Sequence, residues 1–162
     1  MGASSSRPTL TPHGQRLMQV GVSLLLFASF EGFIIPHVAA PRVGLSVHTL
    51  AAIEGILLLI LGVVWSRLTI GVALSRIGIS LLVYSNLSIL CAYGMAAIWG
   101  AGNETIPIAA GAAHGSALQE ASIKYLAYSS APTGIVSFAI VLWGLRGNGG
   151  QQTKGNELWN RA

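Results

Sequence analysis

The sequence contains few charged residues and no aspartate at all. Charged residues make up 9% of the 162 positions, whereas hydrophobic residues make up 52%. Ordinary soluble domains carry about 25% charged residues, so this composition is typical of a membrane protein. The net charge of +4 comes from lysine and arginine that lie mostly at the ends of apolar segments. This pattern indicates topology signals and argues against a nucleic-acid-binding surface.

Cysteine is also nearly absent. The single residue, Cys91, excludes an internal disulfide. The sequence lacks the C-x-x-C motif of redox sites and the C-x-x-C-H motif of covalently attached c-type haem. A cofactor held without covalent bonds stays compatible with the chain. We expect Cys91 to fill space in the apolar core.

Long apolar segments are the most prominent feature of the sequence. Four of them approach the roughly 20 residues that a helix needs to cross a bilayer. They cover residues 17–35, 45–65, 77–99 and 125–145. The sequence therefore predicts an all-α membrane protein, with a four-transmembrane-helix bundle over 17–146 and flexible segments over 1–16 and 147–162. We expect Pro36 to end the first span and Ser46 to cap the second.

The basic residues predict the orientation of the spans. An even number of spans places both termini on one side, and most of the arginine and lysine falls on that side. The residues expected there are Arg7, Arg16, Arg67, Arg76, Arg146, Lys154 and Arg161, against Arg42 and Lys124 on the other side. The positive-inside rule then puts both termini in the cytoplasm.

Polar side chains occur in the outer halves of all four spans. They are Glu31, His48, Glu54, Asn86, Tyr93 and Tyr128. Polar groups at membrane depth need a hydrogen-bonding partner or a cavity. One shared pocket is therefore the simplest explanation, except for Glu31, which lies near the interface and is expected to be solvated.

The most informative of these side chains is His48, near the start of the second span. A neutral imidazole nitrogen is the commonest metal ligand in proteins, but a buried histidine also hydrogen-bonds to neighbouring helices. Small residues follow it at about one-turn spacings, at Ala51, Ala52 and Gly55. Such a stripe allows close approach of a flat macrocycle, and it equally suits plain helix packing. The spacing does not distinguish the two roles.

The histidines limit which kind of metal site is possible. A zinc site needs three or four protein ligands, and the other histidines lie in termini or connectors, away from His48. A cofactor that supplies four ligands itself and takes one imidazole fits better, and haem b is such a cofactor. The residues predicted to bind it are His48, as the ligand of the iron, with Ala51, Ala52 and Gly55.

The remaining polar residues have alternative interpretations. Glu54 is either a proton carrier or a hydrogen-bonding partner of another helix. Asn86 and Tyr93 lie nearly two turns apart on one helix face, where they either orient a small substrate or form interhelical hydrogen bonds. Tyr128 flanks the outer interface, where it is either a residue of the aromatic belt or part of the predicted pocket. Glu120 precedes a lysine by one turn, which predicts an ordinary solvated pair.

The run PRVGLSVHTLAAIEG at residues 41–55 resembles the corresponding stretch of bacterial hydroxylaminobenzene mutases, and more loosely that of styrene oxide isomerases. Both families are small four-span membrane proteins. In both, a histidine near the start of the second span is followed six positions later by an amide or acid and then by glycine. Those positions are His48, Glu54 and Gly55 here. Weaker similarities lie at His13-Gly14, Tyr93 and Ala131-Pro132.

The resemblance implies a specific assembly. Styrene oxide isomerases are trimers of four-helix protomers that hold haem b between subunits, with the second-span histidine as axial ligand. Carried over, His48 would bind ferric haem b near the protomer interface of a homotrimer, and Tyr93 and Glu54 would line the distal pocket. Glu54 stands where the styrene oxide enzymes have asparagine, which favours the mutase activity. The family also implies a bacterial inner-membrane location.

We therefore expect a membrane-bound isomerase that converts hydroxylaminobenzene, an N-arylhydroxylamine, to 2-aminophenol, with ferric haem b as a Lewis acid. The predicted catalytic residues are Glu54, Tyr93 and Asn86, and the predicted substrate pocket contains Tyr93, Asn86 and Tyr128. The alternatives are an epoxide isomerase of the styrene oxide type, which forms an aldehyde, a non-catalytic haem-bearing membrane anchor, and a small-solute carrier. The expected partners are a small aromatic substrate and the lipid bilayer, and no nucleic acid.

Overall fold

The computed structural model describes residues 11–146, and every regular element within that range is helical. The helices are α1 (Pro12–Glu31), α2 (Pro41–Val64), α3 (Val72–Trp99), the short α4 (Pro107–Ala110) and α5 (Ala117–Leu145). Short 3-10 turns follow α1 and α2, at Ile35–His37 and Trp65–Arg67. The segments predicted to be flexible fall outside the described residues over 1–10 and 147–162, while residues 12–16 already belong to α1.

The first two long helices differ from the predicted spans at their ends. Helix α2 begins at Pro41 and not at Ser46, because proline is favoured at the first helical position, where its missing N–H is not needed. Helix α1 ends at Glu31, before Pro36, since the next residue is a glycine, which is a poor helix former. The connection between the two helices therefore covers residues 32–40, four positions earlier in the chain than the predicted spans place it.

Helix α5 begins ahead of the predicted fourth span. A capping box holds this end: the Ser116 hydroxyl accepts from the backbone N–H of Gln119 at 3.4 Å, and Ser116 N donates to the Gln119 side chain at 2.8 Å. The helix continues through Pro132. Beside the proline, the hydroxyl of Thr133 donates to the carbonyl oxygens of Ser129 and Ser130 in the preceding turn.

Glycine residues bring α1 and α2 into close antiparallel contact. A Cβ atom added at Gly21 would lie 2.7 Å from the carbonyl oxygen of Gly55, and one added at Gly55 would lie 2.9 Å from that of Gly21. Gly14, near the start of α1, and Gly62, near the end of α2, make the same kind of close contact. Without side chains between them, the two backbones approach closely, which is how membrane helices gain packing energy.

Helices α3 and α5 form a second antiparallel pair. The Ser85 hydroxyl donates to Ser130 O at 2.8 Å, and a Cβ at Gly134 would lie 2.7 Å from the same hydroxyl oxygen. Helix α2 also packs against α3, so the principal contacts run in the order α1, α2, α3, α5. The two outer helices of this arrangement are α1 and α5.

Three helices of the described chain are long and apolar enough to cross a membrane: Pro41–Arg67, Val72–Trp99 and Ala117–Leu145. This confirms an all-helical, multi-pass membrane protein. Helix α1 is more polar, because Gln15, Arg16 and Gln19 lie in its first turns. It nevertheless packs along α2 from Gly14 to Ala28.

We predict that Gly21→Ala destabilises the protein by about 1–3 kcal/mol, because the added methyl group would collide with backbone atoms of α2. Gly94→Ala is the matched control in α3, since a Cβ there meets nothing within 4 Å. Thermal unfolding in detergent, followed by circular dichroism, measures both. Equal melting temperatures for the two variants would show that the α1–α2 contact is looser than described.

Candidate functional site

The imidazole of His48 is held by a backbone carbonyl of the neighbouring helix. Its Nδ1 atom lies 2.9 Å from the carbonyl oxygen of Ala28 in α1. A carbonyl only accepts hydrogen bonds, so Nδ1 carries a proton, and in the neutral imidazole the lone pair is then on Nε2. Metal-binding histidines commonly donate one ring N–H to such an acceptor while the other nitrogen binds the metal. The side chain is 38% exposed, so the ring remains accessible from outside the chain.

A buried carboxylate lies beside the same ring. The Oε2 atom of Glu31 is 3.6 Å from His48 Nδ1, and Glu31 is only 9% exposed. Within residues 11–146 this oxygen has no hydrogen-bond partner. The prediction that Glu31 is solvated is therefore wrong: the chain turns back after α1 and places the carboxylate against α2. The ring also packs close to Gly32, where an added Cβ would lie 3.5 Å from it, in ordinary van der Waals contact.

The residues present fit a cofactor that requires one protein ligand. The described part of the chain contains no group of three or more His, Cys, Asp or Glu side chains that could hold a metal ion by itself. His48 instead offers a single oriented imidazole, as a macrocycle with four ligands of its own requires. The orientation of the ring by Ala28 O is the observation that supports this fit.

The small residues that follow His48 serve helix packing within the chain. Gly55 contacts Gly21 of α1, and Ala51 is fully buried in the core. Ala52 is partly exposed and packs against the edge of that core. That these three residues also contact a cofactor stays a prediction. Their small size is already explained by helix packing within the chain.

Glu54 is buried within the helical domain. It is 6% exposed, and its Oε2 atom has no hydrogen-bond partner among the described residues. A carboxyl group in such surroundings is expensive unless it serves a function or is neutral. The side chain thus has the burial expected of a proton carrier.

Tyr93 lines a cavity of about 550 Å³ between α2, α3 and the connector before α5. The other lining residues are mostly apolar: Ser46, Thr49, Leu50, Ile53, Ile89 and Thr105–Ala109. The Oγ1 atom of Thr105 is buried and unpartnered within the described chain. An apolar pocket with a few polar groups is typical of a site for a small aromatic molecule.

The other predicted pocket residues lie elsewhere in the single chain. Asn86 is buried, and its side-chain amide donates to Leu82 O at 2.7 Å within its own helix. Tyr128 is 59% exposed on α5, with the Lys124 ammonium 6.0 Å from its ring centre. Neither residue lines the Tyr93 cavity, nor does His48. One chain therefore does not gather all these side chains into a single pocket.

Two residues occupy different surroundings from those predicted. Glu120 is only 1% exposed, so the expected solvated pair is wrong. Its Oε1 atom accepts hydrogen bonds from Gly102 N at 2.8 Å and Gly115 N at 3.0 Å, which ties both ends of the connector to α5. The signal that could have revealed this is a carboxylate in the first turn of a helix after a glycine-rich connector. Cys91 is exposed and not a core residue.

Comparison with known proteins identifies the family. The family model for styrene oxide isomerase matches residues 13–146. This chain therefore belongs to the styrene oxide isomerase family. Hydroxylaminobenzene mutase HabB of Ectopseudomonas oleovorans is 38% identical over 138 residues, which cover 85% of this chain and 84% of HabB. Hydroxylaminobenzene mutase HabA of the same organism is 31% identical over 129 residues, or 80% of this chain and 96% of HabA.

No solved structure matches the chain significantly. The resemblance stated from the second-span motif is confirmed, and so is the prediction of an isomerase. The matched region begins near the start of α1 and ends with α5, so it covers the whole described helical domain.

We predict that Glu120→Ala loosens the connector that lines the Tyr93 cavity, because the buried carboxylate no longer accepts from Gly102 N and Gly115 N. Hydrogen bonds to a charged group contribute about 1.5–3 kcal/mol each, so amide hydrogen exchange at these two glycines should rise at least about tenfold. Glu104→Ala is the control, since that side chain is exposed in the same connector. Unchanged amide exchange at Gly102 and Gly115 in Glu120→Ala would show that Glu120 does not hold the connector.

Proposed function

We propose that the protein is a membrane-bound mutase that converts N-arylhydroxylamines such as hydroxylaminobenzene to 2-aminophenols, with ferric haem b held by His48. The single observation that carries the cofactor assignment is the 2.9 Å contact between His48 Nδ1 and Ala28 O, which leaves Nε2 free to bind iron. The substrate assignment rests on the two relatives named hydroxylaminobenzene mutases. When bound, ferric haem supplies a Lewis acid toward the N–O bond of the substrate.

The rearrangement requires no external oxidant or reductant. The N–O bond of the substrate breaks, a C–O bond forms at the ortho ring carbon, and the hydrogen from that carbon ends on nitrogen. The chain must therefore orient an aromatic ring, exclude water that would add elsewhere on the ring, and move one proton.

The residues around the proposed site divide these tasks. Glu54 takes the ring proton at Oε2, its buried and unpartnered oxygen. Tyr93 orients the polar end of the substrate from the wall of the 550 Å³ cavity, whose lining is largely apolar. Tyr128 is exposed on α5 and completes the pocket of a neighbouring protomer. Asn86 is buried and bonded to Leu82 O in its own helix, so its part in the pocket stays a prediction from the sequence. Ala28 O holds the imidazole of His48 in position, and the Glu31 carboxyl group lies 3.6 Å from the same ring nitrogen.

The oligomer and the topology belong to the same proposal. We infer a homotrimer with haem near the protomer interface, since His48 is 38% exposed at the surface of one chain and the polar residues of the chain are not gathered in one cavity. Helix α1 is the fourth span, because it packs along the length of α2. The distribution of basic residues places both termini in the cytoplasm, and the bacterial relatives support an inner-membrane location.

An epoxide isomerase of the styrene oxide type is the second candidate, because the matching family model carries that description. Glu54 separates the two candidates, since a carboxyl group can carry a proton that an amide at this position cannot. A haem-bearing anchor is disfavoured, as such proteins usually bind the iron with two histidines. Within residues 11–146, His13 lies in the first turn of α1 and His37 and His114 lie in connections, so only His48 lies further inside a membrane helix.

We predict that His48→Ala abolishes the Soret absorption of the purified protein and its conversion of hydroxylaminobenzene to 2-aminophenol. His37→Ala is the control, since that exposed histidine lies in the connection between α1 and α2 and should leave both readouts unchanged. Absorption spectra and product chromatography measure the two effects.

The same membranes offered styrene oxide distinguish the two substrates. Conversion of hydroxylaminobenzene alone, or much faster conversion of it, supports the mutase assignment. Conversion of styrene oxide alone would replace it by the epoxide isomerase, and a full Soret band in His48→Ala would disprove the ligand assignment.

We predict that Glu54→Gln lowers kcat by about 10²–10⁴-fold, the usual contribution of a general acid or base, while the Soret band keeps its position and height. The amide preserves the size of the side chain and removes its proton-transfer capacity. Glu104→Gln, at an exposed position of the connector, should leave kcat unchanged. A Glu54→Gln enzyme with full kcat would show that another group moves the proton.

A further inference from the structure

A cleft of about 410 Å³ at the N-terminal ends of α1 and α3 is lined by basic side chains. It contains His13 and Arg16 from α1 and Arg76 from α3, together with Ser80. Both arginines are exposed, and neither forms an ion pair with a described carboxylate. Two guanidinium groups thus face one cleft without a compensating negative charge among residues 11–146.

The helices themselves add to the positive potential of this cleft. Helices α1 and α3 are each antiparallel to α2 and therefore parallel to each other, as the pairs Gly21–Gly55 and Trp65–Ser75 show. Their N-termini consequently lie at the same end, where the helix dipoles are positive. Neither helix has an acidic residue in its first turn. The cleft between the N-terminal ends of α1 and α3 is therefore suited to an anion.

An apolar groove continues from the cleft along the same two helices. A cavity of about 530 Å³ shares Arg16 and Ser80 with the cleft and is otherwise lined largely by apolar side chains such as Val20 and Val83. A further cavity of about 660 Å³ shares Val20 and extends to Phe27. From Arg16 to Phe27 the groove runs about 16 Å along the helix axis, close to the roughly 15 Å of half a bilayer core.

We propose that this groove, between α1 and α3, binds one anionic phospholipid, whose headgroup lies between Arg16 and Arg76 and whose acyl chain follows Val20 and Val83 toward Phe27. The charge of the cleft selects an anionic headgroup, as in other basic clefts between membrane helices. The apolar continuation, which has the length of one leaflet, selects a lipid and not a free anion. The site is independent of the proposed haem and substrate.

Native mass spectrometry of the full-length protein, purified in mild detergent and titrated with phosphatidylglycerol or phosphatidylcholine, tests the proposal. We expect one phosphatidylglycerol per chain to bind preferentially, and the double variant Arg16→Gln/Arg76→Gln to bind it about 30-fold more weakly. Arg42→Gln/Arg146→Gln removes the same charge outside the cleft and should bind normally, since Arg146 lies over the Trp143 ring instead.

A second variant tests the acyl groove without changing the charge. Val83 is half-buried in the wall of the groove. The larger side chain of Val83→Trp should fill the groove and prevent retention of the lipid. Equal binding of phosphatidylcholine, equal binding by the Arg16→Gln/Arg76→Gln variant, or competition by inorganic phosphate alone would overturn the proposal. The proposal would also be overturned if a second copy of the chain filled the groove. Wild-type protein would then form a dimer or trimer that binds no lipid.

Discussion

The hydrogen bond between His48 Nδ1 and Ala28 O depends on the contact between α1 and α2, and the proposed chemistry depends on that bond. The two helices come close enough for it because Gly21 and Gly55 leave no side chain between them. A larger residue at either glycine would separate the backbones and release the imidazole. The tight packing of α1, which has polar residues in its first turns, against the more apolar α2 would therefore serve the proposed function as well as the structure.

The chain buries three carboxylates in three different ways. Glu120 accepts two backbone N–H groups and closes a connector, so it has a structural role. Glu31 lies against the imidazole of His48, with its Oε2 atom 3.6 Å from Nδ1. One oxygen of each carboxyl group has no partner in the described chain, but Glu54 alone of the three has neither a hydrogen bond nor an ion pair there, which leaves it available for proton transfer. Burial by itself thus says little about function, because the partner of each carboxylate decides its role.

The single chain is an incomplete description of the proposed active enzyme. Helix α5 packs mainly on α3 and α1 mainly on α2, so both present a large apolar surface outward. His48 is accessible from outside the chain, whereas the Tyr93 cavity opens between α2, α3 and the connector. A neighbouring protomer that covers the His48 face would join these separate features, which is why the proposed function includes a trimer.

The sequence by itself determined the membrane class, the helical content and the family, because composition and apolar run length are properties of the chain before it folds. It also singled out His48, Glu54 and Tyr93. Only the tertiary structure decided which nitrogen of His48 is free, that Glu31 and Glu120 are buried, and that Gly55 packs on Gly21. The reason is that hydrogen-bond partners and burial come from residues distant in sequence, here on α1 and on the connector, whose positions no local pattern specifies.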